Sequence, residues 1–332
     1  DKKIASDIAL DIREMGRAKR DKNGKILRNS NGTIIRKPGK LKFTKAVGWY
    51  IDEYKKAQVS MNLINYKITS IFKAFEEVRK QARIRGVRVT GSEIVGLVPK
   101  ESLFEAGLYY LEKQGRSRAL SESDIIHIAI ESLGLNDIST FDPSLNIIEN
   151  RIDFNNRLVN LPYNDLVNEI SSESPAPGGG SVSAIAGSLS SALIAMVCNL
   201  SFSKKGYEKN RTKIEQIGCE AQEIKRELNI LIDLDTLAFN EIMNSFRLPK
   251  KNIEEKKKRD EAIEKATQNA INIPLKIMTL SLDALKISKR IGKIGNQNSI
   301  SDSGVASELA YAAINSAYMN VKINLKDIST KK

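Results

Sequence analysis

With 332 residues the chain has room for two domains of about 150 residues each, and 41% hydrophobic with 28% charged residues is globular usage that excludes a disordered polymer. Lys and Arg number 53 against 40 Asp and Glu, and the resulting +13 argues for an anionic partner: nucleic acid, an acidic membrane surface or a multiply charged small ligand. Two cysteines without CxxC spacing, Cys198 and Cys219, argue against a disulfide framework or zinc site and fit a reducing, cytoplasmic setting, while the single histidine, His127, excludes any mechanism needing two imidazoles on this chain. No signal peptide is visible, and a first residue of Asp1 rather than Met suggests a piece of something longer.

Residues 5–20 read as a helix with Ile8, Ile12 and Met15 at helical spacing. Two turn signals follow, Asn23-Gly24 and Asn31-Gly32, among short β-rich runs, which predicts a small hairpin excursion. Strands are expected at Phe43 to Tyr50 and at Gln58 to Tyr66, where Val59, Met61 and Leu63 alternate onto one buried face. A helix over 69–85 precedes short strands at Val87 to Thr90 and Ile94 to Val98. Pro99 opens another helix, Ser121 with Asp124 begins one that stops at Gly134, and Asp142-Pro143 closes the unit.

The character changes near residue 155. From Tyr163 onward the pattern is helical, with breakers at Pro175 to Gly180, near Pro249 and at Gly292 to Asn296, which predicts an all-helical bundle; Pro274 should kink one helix or mark its start. No internal repeat at a fixed period is visible. The expected organisation is α+β: a small α/β unit over 1–152, a linker over 153–162 and a helical bundle over 163–332. Ser174 through Ser203 carry no charged side chain, a length that would cross a bilayer. Interrupting serines and small residues such as Ala184, Gly187, Ser191 and Ala195 favour a buried bundle helix or a subunit interface over a membrane span.

Between Arg13 and Lys45, twelve Lys and Arg face only Glu14 and Asp21. A solvated loop, a small-anion site and a nucleic-acid surface are all readings of such a run; 6% aromatics and no binding motif count against nucleic acid. His127 lies on an amphipathic helix without a Ser or Cys elbow nearby, which fits a surface position better than a general base. Pro175 to Ser181 lead straight into a helix, and Gly178, Gly179 and Gly180 permit close backbone approach; an anion site and a simple helix start are both open. Asp235 is the sharpest single residue. Its helical neighbours Leu231, Ile232, Ala238 and Phe239 are all apolar, so its carboxyl should be ion-paired or have a raised pKa suited to proton transfer. Asp233 lies round the same helix and should not share that site. Lys204 and Lys205 suit a helix C-terminus, and Asp302 an N-cap of the last helix.

Several ordered motifs carry a resemblance. Ser174-Pro-Ala-Pro-Gly-Gly-Gly-Ser181, Lys204-Lys-Gly-Tyr207, Asp233-Leu-Asp235, Arg247-Leu-Pro-Lys250, Gly295-Asn296, Ser301-Asp302 and Tyr318-Met-Asn320 through Leu325 are similar to the formimidoyltetrahydrofolate cyclodeaminase/cyclohydrolase family. In the first half, Arg13-Glu-Met-Gly-Arg17, Gly48-Trp-Tyr-Ile-Asp-Glu53, Ala57 to Leu63, Gly91 to Pro99 and Leu133-Gly134 resemble the C-terminal subdomain of the glutamate formimidoyltransferase family. The combination looks like a bifunctional fusion of the two.

The resemblance implies folate chemistry linked to histidine breakdown. In the bundle it implies conversion of 5-formimidoyltetrahydrofolate to 5,10-methenyltetrahydrofolate and ammonia, with Asp235 as the catalytic aspartate. Gly178 to Ser181 would hold the folate or its glutamate carboxylates, Lys204 would assist, and Asp302 is carried over as a further folate contact. In the first unit Gly91 to Pro99, Glu93 among them, would line a folate cleft. The family's catalytic histidine belongs to an N-terminal subdomain without counterpart here, so transferase activity is not expected from this chain alone. A methenyltetrahydrofolate cyclohydrolase and a non-catalytic folate-binding or assembly partner are the alternatives. No cofactor beyond tetrahydrofolate and no metal are expected. The expected partners are a folate, polyglutamylated or not, with its formimino group, and further copies of the chain, at least as a dimer; neither nucleic acid nor membrane is expected.

Overall fold

The computed structural model describes residues 1–152 and 158–329. The chain divides into two compact units: Asp1–Gly115 with Glu122–Asp153, and Arg116–Ser121 with Phe154–Lys332.

In the first unit, α1 (Lys2–Ile12) starts where the Asp1 carboxylate accepts the Lys3 N–H, and buries Ala5, Ile8, Ala9 and Ile12 on one face. The basic segment that follows forms the short pair β1 (Arg17–Ala18) and β2 (Arg36–Lys37). The strands β3 (Thr44–Ile51) and β4 (Lys56–Leu63) pair antiparallel from Thr44↔Leu63 to Ile51↔Lys56. Here α1 lies directly on β3 at Gly48: a Cβ there would stand 2.2 Å from the Ala5 carbonyl carbon, so only glycine allows the approach. Next come α2 (Ile71–Ile84), α3 (Lys100–Lys113), α4 (Glu122–Leu133) and the single turns α5 (Pro143–Asn146) and α6 (Ile148–Arg151). Leu103, Ala106 and Tyr110 of α3 share a core with Ile126, Ala129 and Ile130 of α4.

The helix expected over 5–20 ends at Ile12, so that Met15 lies outside it and exposed and Arg17–Ala18 is a strand, and two further expectations fail in this unit. The strands at Val87 to Thr90 and Ile94 to Val98 do not form; the segment runs extended, tied by Ser92 to the carbonyls of Leu133 and Gly134, and only Val98 makes a bridge, parallel to Ile147. The runs are short, and Gly91 and Gly96 lie between and within them. The second failure concerns repeats. Residues 19–37 are built from an octad, Lys-Arg-Asp-Lys-Asn-Gly-Lys-Ile followed by Leu-Arg-Asn-Ser-Asn-Gly-Thr-Ile and then Ile35-Arg36-Lys37. Asp21 Oδ1 accepts the N–H groups of Asn23 and Lys25, and Asn29 Oδ1 those of Asn31 and Thr33. Gly24 and Gly32 close the two turns at positive φ, and Arg20 and Arg28 each donate to the carbonyl of the glycine four residues on. Lys19, Leu27 and Ile35 then bond in a closed triangle, each N–H meeting the carbonyl of another at 2.8 to 2.9 Å. Each octad closes on itself through one antiparallel bridge, Arg20 with Ile26 and Arg28 with Ile34, and the ring joins successive octads.

The second unit holds α7 (Tyr163–Ile170) and four long helices, α8 (Gly179–Phe202), α9 (Arg211–Arg247), α10 (Ile253–Ile294) and α11 (Ile300–Ser329). Contacts such as Ser181 with Ile232, Glu227 with Lys276, Ser288 with Ser307 and Ser183 with Ser316 run antiparallel between successive helices and between α8 and α11, giving an up-and-down bundle. Ile194, Val197, Leu228, Ile277, Ile291, Ala306 and Ala310 lie in its core. Pro274 lies buried well inside α10, so it does not start that helix. α8 is long and apolar enough to cross a membrane, and 61% of its most apolar window is buried in this bundle. Its serines are satisfied there: Ser190 donates to the Ala306 carbonyl and Ser188 to Asn229.

Two short pieces belong to the bundle. Arg116–Ser121 docks on α8 and α9, with Ala119 fully buried against Gly218 and its carbonyl accepting from Asn199 and Gln222. The turn Leu158–Asn160, inside the expected linker, buries Leu158 and donates its N–H to Asp233 at 2.7 Å. Residues 153–157 of that linker lie outside the described residues.

Candidate active site

The start of α8, the middle of α9 and the second half of α11 converge at one end of the bundle. Gly178 is the N-cap of α8, with extended backbone, and Gly180 is buried against α9. A Cβ on Gly180 would stand 2.1 Å from Asp235 Oδ1, so the missing side chain is the space the carboxyl occupies. Ser181 fixes that carboxyl. Its hydroxyl lies 3.3 Å from Asp235 Oδ2, 3.2 Å from Thr236 Oγ1 and 2.8 Å from the Ile232 carbonyl, and its N–H also bonds Asp235. Burial raises the Asp235 pKa, and the two bonds from Ser181 oppose the rise. Asp235 makes no ion pair among the described residues, and its pKa moves upward, the direction that one of the two readings of its sequence position expects.

The donors of the helix start are divided. The Ser181 N–H is engaged by Asp235 and that of Val182 by the Gly178 carbonyl at 3.1 Å, while the N–H groups of Gly179 and Gly180 meet no acceptor among the described residues. Ser181, expected to bind substrate, is fully buried with its hydroxyl engaged inside the bundle; it positions Asp235 instead. Asn320 of α11 stands beside Gly179, its amide 3.3 Å from where a Cβ would be, and donates to the Ser316 carbonyl. Ser183 ties the Gly179 carbonyl to Ser316 Oγ, so α8 and α11 are stitched together at the site. Asn320 was legible only as part of the Tyr318 to Leu325 motif; nothing in its neighbours singled it out.

The other expected residues lie elsewhere. Lys204 follows Gly180 along the full length of α8, some ~36 Å at 1.5 Å per residue. Its ammonium donates to Asn296 Oδ1 at 2.6 Å and stands over the Tyr207 ring, while Tyr207 Oη accepts the Gln297 N–H. Asp302 is near that same end and is no N-cap: a 3₁₀ turn over Gln297–Ser299, capped by Asn296, leads into α11, which places Asp302 inside the first helical turn. Asp233 holds Leu158 and stays apart from the Asp235 site. In the first unit Glu93 accepts from Tyr54 at 3.3 Å and from Gln58 at 2.5 Å, and Gln58 in turn accepts from the Trp49 indole. Glu93 raises the Tyr54 pKa through its charge. Val95 and Leu97 beside it are exposed. His127 is exposed on α4.

Comparison with known proteins matches both units. The family profile described as formiminotransferase-cyclodeaminase covers residues 162–332, and that of the formiminotransferase domain covers 1–153. Formimidoyltransferase-cyclodeaminase of Gallus gallus is 33% identical over 334 residues, 100% of this chain and 59% of the relative. That of Dictyostelium discoideum is 37% identical over 330 residues, 98% of this chain and 57% of the relative. The chain therefore spans a little over half the length of these relatives. A methenyltetrahydrofolate cyclohydrolase of Methylorubrum extorquens is 35% identical over 162 residues, 49% of this chain and 78% of the relative. The crystal structure of formiminotetrahydrofolate cyclodeaminase from Thermotoga maritima superposes with a TM-score of 0.46 at 27% identity, over 51% of this chain and 80% of that one.

Proposed function

The chain belongs to the formiminotransferase-cyclodeaminase family, and from that premise we propose that its helical unit is a cyclodeaminase that closes 5-formimidoyltetrahydrofolate to 5,10-methenyltetrahydrofolate and ammonia. The observation that carries the proposal is Asp235: a half-buried carboxyl of raised pKa, without an ion pair among the described residues, packed against a glycine-lined helix start. The reaction needs one proton moved. N10 attacks the amidinium carbon, Asp235 takes the N10 proton, and the same proton goes to the amino group of the tetrahedral intermediate, which leaves as ammonia. A single carboxyl serves both steps, because the proton removed in the first is the one required in the second. The N–H groups of Gly179 and Gly180 suit a carboxylate of the folate.

In the first unit, Gly91 to Pro99 with Glu93 form the wall of a second folate site. The free thiols of Cys198 and Cys219, whose pKa values burial raises, support a cytoplasmic location. The chain pairs with a second copy through the outer stripe of α8, where Val182, Leu189, Met196 and Leu200 recur on one face and are 42%, 53%, 38% and 51% exposed.

Ammonia release from formimidoyltetrahydrofolate by the purified chain tests the activity. Asp235→Asn should lower kcat by about 10²–10⁴-fold with an unchanged far-ultraviolet spectrum. Hydrolysis of the methenyl compound without any ammonia release would make the chain a cyclohydrolase instead.

A further inference from the structure

The octad ring turns two of its three arginines toward one place. Arg20, Arg28 and Arg36 occupy the same position of successive octads, yet only Arg20 and Arg36, with Arg13 and Arg17 from the end of α1 and the start of β1, line a cavity of about 370 Å³; Leu10 and Ala18 complete its wall. The carboxylates nearby are already engaged. Asp7 and Asp11 both pair with Arg17, at 3.0 and 2.9 Å, and Asp11 also meets Arg85. These contacts hold the Arg17 guanidinium in place, and the Asp11 bond raises its pKa further. Arg13, Arg20 and Arg36 have no acidic partner among the described residues. Two of them are nonetheless held: Arg13 Nε donates to the Gly16 carbonyl at 3.2 Å and Arg20 Nη1 to the Gly24 carbonyl at 2.6 Å. A guanidinium carries five N–H donors, so one bond to a backbone carbonyl fixes its direction and leaves most of the fork for another acceptor. Four guanidiniums gathered against two carboxylates repel one another, and an anion between them relieves that repulsion.

We propose that Arg13, Arg17, Arg20 and Arg36 form a binding site for a compact polyanion, one carrying two or more phosphate or carboxylate groups. The fork of each arginine matches either oxyanion in the same bidentate way. The cavity belongs wholly to the first unit, so this site is separate from the Asp235 centre.

The repeat supplies its own control. Titration calorimetry on the whole chain in about 0.1 M salt, with pyrophosphate and with citrate as probes, should show one saturable site. Binding of pyrophosphate alone assigns the site to phosphates, of citrate alone to carboxylates, and of both to the shared chemistry. Arg36→Ala and Arg20→Ala should each weaken binding about tenfold or more, whereas Arg28→Ala, altered at the equivalent position of the middle octad, should bind within about twofold of the parent. Arg36→Lys keeps the charge and loses the fork; if Arg36→Ala does not fold, a loss of about fivefold or more in Arg36→Lys makes the same point. Ammonia release should be unaffected in all four variants. Equal weakening by Arg28→Ala and Arg36→Ala would mean diffuse attraction to a basic hairpin and overturn the site, as would failure of both probes to bind.

Discussion

Asp235 illustrates how a functional group opposes the fold that holds it. Its pKa is raised by burial, so the folded chain binds the proton more tightly than the unfolded chain. The linkage sign follows: the protonated carboxyl contributes stability that is fully present below its ordinary pKa and is lost as pH rises through the raised value. At neutral pH the ionised group therefore destabilises the bundle, and Asp235→Asn should raise the thermal midpoint near pH 7 while leaving it unchanged near pH 3, as differential scanning calorimetry would show. Catalysis by the same carboxyl as a base runs the other way, with kcat/KM falling as pH drops through the raised pKa. Ser181→Ala removes a hydroxyl that favours the ionised form, so the acid limb of that profile should move to higher pH. Gly180→Ala would force the carboxyl away from Ser181. Asp235 can rotate, so the stability cost should be an overpacking one of about 1–3 kcal/mol, with a much larger loss of kcat. The aspartate was legible because its neighbours three and four positions away are all apolar. Its partners were not: that Gly180 yields space and Ser181 supplies two bonds depends on two helices meeting, which periodicity in either one does not encode.

Among elements, the long helices were the most legible. Their breakers are glycines and prolines whose backbone preferences are local, so the breaks near Pro249 and Gly295 fall where expected. The extended run 87–98 misled because β-branched residues describe a half-buried surface and not a strand partner. The two turns of the octad are legible at Asn23-Gly24 and Asn31-Gly32, whereas the ring of bonds among Lys19, Leu27 and Ile35 joins residues eight and sixteen apart and has no local signal. Least legible was Arg116–Ser121, which reads as a polar connection between helices and folds as part of the bundle. Its anchor is Asn199, which accepts from the Ser117 hydroxyl at 2.9 Å and donates to the Ala119 carbonyl at 2.8 Å. Asn199→Ala leaves that carbonyl with Gln222 and should cost about 1–3 kcal/mol. Because the segment is held at one place, the loss should appear first as faster tryptic cleavage after Arg116 than in the parent, before any change in helical content. Unchanged cleavage would show that Gln222 and the buried Ala119 suffice.

For the whole molecule, the separation of Lys204 from Asp235 decides more than the order of the domains does. A single bundle places the two at opposite ends of α8, although both sit in motifs of the same family resemblance. In an isologous interface residue i of one copy meets residue j of the other and j meets i, and two copies of one helix related by a two-fold axis perpendicular to it run antiparallel. The exposed stripe from Val182 to Leu200 is centred near Ser191. On the proposed pairing through α8, a two-fold axis perpendicular to the helix at that point would set Gly178 of one copy opposite Lys204 of the other. That pairing would also cover the exposed apolar residues of α8, Val182, Leu189, Met196 and Leu200. Leu189→Asp, next to the axis, would place two carboxylates in the interface and should yield monomers by light scattering and abolish ammonia release together. Complementation is the stricter test. Lys204→Ala and Asp235→Asn should each be weakly active alone, but subunits mixed and allowed to exchange form hybrid dimers with one intact site in two, which recovers roughly a quarter of wild-type activity when mixing is statistical. If hybrids form, as mass spectrometry of the intact dimers would establish, and no activity returns, then Lys204 serves its own end of the bundle and the two ends of α8 work independently.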